Sequence, residues 1–168
     1  QQLLSALPSR VYAMGIFETI RQALGLSAEA DATRDADSED LFGMSTAYLT
    51  MEADLDFAPT GDAALCFADV DSTAFRDARR EVEEILELGE AETGTTASFI
   101  EDSHGYNCVF LRDSDFENLV TSVHFAADTL VEAGFGSRLL AALFAFDRDG
   151  TTAYWIYSFR RGAYYPFV

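Results

Sequence analysis

Residues 139–159 read LLAALFAFDRDGTTAYWIYSF. The run 139–146 is apolar at every position, so a strand there would be greasy on both faces and belongs in the middle of a covered sheet. Arg148-Asp149-Gly150 carries turn chemistry, and Thr151–Phe159 is rich in Thr, Tyr, Trp and Ile. A hairpin is therefore predicted, pairing Leu139–Asp147 with Thr151–Phe159. Asp147-Arg148-Asp149-Gly150 lacks the regular acid spacing of a calcium loop and reads as the hairpin turn.

Working back along the chain, a helix to about residue 133 opens at the capping box Ser114-x-x-Glu117 and ends at Gly134. Phe116, Leu119, Val120, Val123, Ala127, Leu130 and Val131 line its apolar side. Before it, residues 95–101 and 106–112 form a hairpin across Asp102-Ser103-His104-Gly105. Asp71 or Ser72 caps a helix over 73–88, with Phe75, Ala78, Val82, Ile85 and Leu86 as its stripe and Gly89 as its stop. Pairs Arg79–Glu83 and Arg80–Glu84 decorate its outer face. Residues 63–68, AALCFA, read as a buried strand, and 44–54 as a strand by alternation. Residues 26–43 are an acidic linker without periodicity, and 14–25 are a short amphipathic helix with Ile16, Phe17, Ile20 and Leu24 on one face. Residues 1–13 read as an extension upstream of a natural start at Met14.

Hairpins alternating with helices predict an α+β fold: an antiparallel sheet with helices on one face, formed by a single domain over 44–168, with the N-terminal amphipathic helix attached by the linker.

Charge narrows the function classes. The 168 residues hold 29 Asp+Glu against 11 basic residues, all of them Arg, for a net −18. Such a surface repels phosphate backbones, so nucleic acid is not an expected partner. High acidity with no Lys is the composition of a protein from an extreme halophile, in which molar salt screens self-repulsion. No apolar run has the length of a membrane span. Cys66 and Cys108 sit in apolar runs and are expected as two buried, reduced thiols rather than a disulfide framework.

No chemistry-bearing motif stands out. There is no phosphate-binding glycine loop, no nucleophile elbow and no zinc-ligand spacing, so neither an enzyme nor a cofactor is expected. His104 in a polar turn and His124 at the edge of a helix are the only histidines, and they are the candidate ligand-binding residues of an alternative reading, a small-molecule-binding sensory domain. The strongest candidate for specific contact is the C-terminus. Seven of the fifteen residues 154–168 are aromatic, and they surround Arg160 and Arg161, the most positive spot on the chain. Arginine and aromatics dominate binding hot spots. Tyr164, Tyr165 and Phe167 either join such an interface or fold back over the sheet. A homo-oligomer through a strand edge or through this tail is a further expectation.

GIFETIRQALG and DLFGMSTAYLTME, followed by EDSHGYNCVFLRD, LVTSVHFAADTL, GSRLLAALFAF and YWIYSFRRGAYYPF, resemble the haloarchaeal PspA-associated family PspAB. The resemblance runs from Met14 to the end. It implies a non-enzymatic accessory protein whose partner is a PspA-like coiled coil, a membrane-stress protein. That places it in the cytoplasm, held peripherally at the inner membrane face through its partner. The stripe Ile16, Phe17, Ile20 and Leu24 and the Arg160-Arg161 tail are the surfaces offered to such a partner.

Overall fold

The computed structural model describes Glu18, Thr19, Gln22 and residues 37–101 and 105–167. The sheet is built around Leu139–Arg148 (β4), buried at its first eight positions as the apolar run predicts. Its neighbours are Ala58–Ala68 (β1) and Thr151–Ser158 (β5). Thr96–Glu101 (β2), Tyr106–Arg112 (β3) and Ala163–Phe167 (β6) complete six antiparallel strands in the order β2-β3-β1-β4-β5-β6. The β4–β5 turn places Asp149 and Gly150 at φ 51° and 82°, the double left-handed geometry of a tight hairpin.

Three helices pack on one face: Met44–Leu55 (α1), Thr73–Thr93 (α2) and Phe116–Glu132 (α3). Alternation along the strands sends Leu65, Phe67, Val109, Phe144 and Tyr157 into this layer. They meet Phe75 and Val82 of α2, Leu119 and Val123 of α3 and Met44 and Met51 of α1. The intervening residues, Ala64, Cys66, Cys108, Leu143 and Ile156, point the other way and form a second apolar cluster. The α+β class and the one-sided helix layer are thus as the sequence indicates.

Several local expectations are corrected. Residues 44–54 are helix, not strand: Met44, Ala47, Tyr48 and Met51 fall at i, i+3, i+4 and i+7, and their burial on one side outweighs the Thr/Tyr alternation. The linker over 26–43 is not unstructured to its end. Ser38–Gly43 forms a 3₁₀ turn capped by Asp37, and it buries Leu41 completely. In α2, Gly89 lies within the helix, and the stop is Gly94 at φ 80°. Ile85 is 38% exposed and lies outside the buried stripe. Arg79 reaches Glu101 at 2.7 Å and lies at 3.9 Å from Glu83, whereas Arg80 makes no ion pair among the described residues. The cap of α3 is Asp115, which accepts from the Glu117 and Asn118 amides, in place of the Ser114 capping box.

The cysteines are the largest correction. Cys66 and Cys108 lie directly opposite on β1 and β3, with Cα atoms 4.2 Å apart, and form a disulfide. Antiparallel register makes them neighbours although they stand 42 residues apart, a relation that no spacing rule reveals.

Candidate functional site

The C-terminal segment leaves the sheet at Ser158, turns through Phe159–Gly162 and returns as β6. The Gly162 amide closes the turn on the Ser158 carbonyl at 2.8 Å, and the Arg161 amide donates to Ser158 Oγ at 3.3 Å. Gly162 has φ 64°, which permits the reversal. Phe159 is buried, so the turn is anchored from beneath, whereas Arg160 and Arg161 are both exposed. Neither arginine forms an ion pair with a described carboxylate. Two adjacent guanidiniums are therefore presented on a fixed turn beside the outer edge of β6.

The aromatics of this tail divide by strand alternation. Tyr164 points into the helix layer: its hydroxyl donates to the Asp40 carbonyl at 3.3 Å and to the Leu41 carbonyl at 3.1 Å, and its ring meets Tyr157 at 4.9 Å. Tyr157 donates to Asp40 Oδ2 at 2.8 Å. These tyrosines hold the 3₁₀ turn against the sheet. Burial, reinforced by the nearby Asp40 carboxylate, pushes the Tyr164 phenol well above its ordinary pKa. Tyr165 and Phe167 pack on the opposite face with Ile156 and Tyr154. Burial raises the Tyr165 phenol, and Arg161 partly offsets this by favouring the anion. Tyr164, Tyr165 and Phe167 are thus half-buried against the sheet, while Arg160 and Arg161 stand outward.

His124, on α3, is 7% exposed. Its Nε2 lies 3.1 Å from Glu39 Oε1, and its ring packs on Phe42 at 4.4 Å between centroids. It pins the 3₁₀ turn from the α3 side. The buried side chains at the described interface between sheet and helices are 0–6% exposed, and the His124 Nδ1 is buried there with no hydrogen-bond partner among the described residues. His104 and the stripe Ile16, Phe17, Ile20 and Leu24 lie outside the described residues, as do residues 1–13.

One surface escaped the sequence reading. An open groove runs between α2 and α3, lined by Ile85, Leu88 and Thr129 and rimmed by Glu81, Glu84, Asp128 and Glu132. Leu88 is 67% exposed. Its position in α2 opposite the core stripe was the only signal available for it. Among the described residues no cluster of His, Cys, Asp or Glu is arranged to hold a metal, and no helix is long and apolar enough to cross a membrane.

Fold and site together define a small acidic α+β protein with a basic turn fixed beside the edge strand β6 of the described sheet. A comparison with curated proteins gave no significant match. The family model of PspA associated protein B, by contrast, matches residues 14–168, and the chain belongs to that family. The resemblance carried by the sequence motifs is thus correct, and the family's description ties it to PspA.

Proposed function

We propose that this protein is a non-enzymatic accessory factor that binds a PspA-like coiled coil, with the Arg160-Arg161 turn as its principal contact. The observation that carries this reading is the exposure of two adjacent arginines, unpaired among the described carboxylates, in a chain of net −18. Arginines kept outward and held on an anchored turn suit bidentate contact with carboxylates along an acidic helix. The family's association with PspA supplies a partner of the appropriate kind. In this reading the protein works in a salt-filled cytoplasm and reaches the membrane surface only through its partner.

The test is capture of the partner from lysate held at molar KCl, comparing the wild-type chain with Arg160→Glu/Arg161→Glu. Loss of two charge-assisted contacts should lower the retained coiled-coil protein about tenfold or more, with an unaltered melting temperature. Equal retention by both chains would remove the turn from the interface.

A further inference from the structure

The groove between α2 and α3 is built from two stripes of equal spacing. Glu81, Glu84, Ile85 and Leu88 stand at i, i+3, i+4 and i+7 of α2, and Phe125, Asp128, Thr129 and Glu132 repeat that spacing on α3. Residues so spaced share one face of a helix. All but Phe125 line the groove. Among the described residues six large apolar side chains are exposed, and three of them lie on these stripes: Ile85 at 38%, Leu88 at 67% and Phe125 at 52%. An exposed leucine standing alone is ordinary, whereas apolar side chains gathered along one concavity mark a surface that meets a partner. The Thr129 hydroxyl donates to the Phe125 carbonyl at 2.7 Å, so its one donor is used within α3.

The rim narrows the choice of occupant. Two carboxylates from α2 and two from α3 flank the apolar floor. No Arg or Lys occurs in residues 81–93 or 116–132, and no ion pair among the described residues uses Glu81, Glu84, Asp128 or Glu132. On each helix the two acids are like charges about one turn apart, which repel each other. By themselves such carboxylates are the hydrated surface of an acidic chain. With an apolar floor between them, they complement an occupant that is apolar along its centre and cationic along both sides. The walls also set its shape. Each stripe has the helical period and extends about 10 Å, so two turns of a third helix lie along it with their ridge in the groove.

We propose that the α2–α3 groove binds a basic amphipathic helix of a partner protein, its apolar ridge seated on Ile85, Leu88 and Thr129 and its arginines or lysines paired with the carboxylates on either side. The same carboxylates repel an anionic membrane surface. A second copy of the chain brings a further −18 and no cation on the matching helix faces. The proposal does not rest on the Arg160-Arg161 contact: there the protein supplies the cations, and here it supplies the acids. At molar salt long-range attraction is screened within about 3 Å, so the groove selects by contact and apolar burial rather than by steering.

The test measures binding of the full chain at molar KCl to labelled peptides of about five helical turns, stapled on the outer face to keep them helical. One carries a leucine ridge flanked by arginines. A second has the same ridge flanked by glutamates, and a third has the arginines but serines in the ridge. Saturable binding of the first is expected, with the other two at least about tenfold weaker. Leu88→Gln should weaken the first peptide about tenfold and Glu81→Gln/Glu84→Gln about threefold. These positions are exposed, so the variants keep the fold, and Leu49→Gln, an equally exposed leucine on α1, should bind as wild type. No saturable binding of the first peptide, equal binding of the glutamate peptide, or equal losses for Leu88→Gln and Leu49→Gln would overturn the proposal. A mass that rises with protein concentration and falls back in Leu88→Gln would show the groove occupied by a second copy, which also overturns it.

Discussion

Tyr164 joins the last strand to the 3₁₀ turn through two carbonyls more than a hundred residues earlier, beside the bond from Tyr157 to Asp40. Its raised pKa has a consequence with a definite sign. The folded state holds the phenolic proton more tightly than the unfolded chain, whose tyrosines titrate near 10.0. Below that pH both states are protonated and the contribution is complete. Above it the unfolded chain loses protons first, so stability falls as pH rises. Thermal melts between pH 8 and 11 should show this decline, and Tyr164→Phe should make it shallower. The same substitution costs about 1 kcal/mol at neutral pH through its lost hydrogen bonds. A decline identical in wild type and variant would show that this phenol is not involved. None of this was legible beforehand, because the sequence marks Tyr164 as aromatic but not as the partner of Asp40.

At the scale of elements, the hairpins and the long helices could be read directly, since continuous apolar runs and turn residues act locally. β4 and the 95–112 hairpin are of this kind. The failures have a common physical cause: short segments whose conformation is decided by what they bury. Residues 44–55 carry both an alternation and a helical spacing, and contact of Met44 and Met51 with the core selects the helix. Ser38–Gly43 is polar by composition, and the burial of one leucine orders it. The start of α3 shows how a motif can be off by one residue. Asp115 accepts two amides there, so Asp115→Ala should lower stability by about 1 kcal/mol, whereas Ser114→Ala should leave it within about 0.5 kcal/mol. Denaturant midpoints of the two variants decide between the caps. The same logic explains why the arginines could be singled out in advance while the division of the neighbouring aromatics could not. Charge is visible in one residue, but which face Tyr164 or Tyr165 takes depends on the register of β6 with β5.

For the whole molecule, the dominant quantity is −18 on 168 residues. Self-repulsion opposes the compact state in dilute buffer and is screened within about 3 Å at molar salt. The melting temperature should therefore rise steeply between tens of millimolar and molar KCl. A flat profile would contradict salt adaptation. Acid also changes how surfaces should be read here, because clusters such as Glu81, Glu84, Asp128 and Glu132 around the α2–α3 groove are expected as hydrated surface in such a protein.

The Cys66–Cys108 link gives the chain a topology that its strand order alone does not. It ties β1 to β3 and encloses α2 and β2 in a covalent ring. A protease or unfoldase that hauls the polypeptide through a narrow channel from either terminus meets this ring as an obstruction. While the bond is intact, the strand cannot pass in single file: two segments must enter side by side, or the machine must stall and release. Complete digestion by such a machine therefore needs either a channel wide enough for two segments or a reductant that opens the ring.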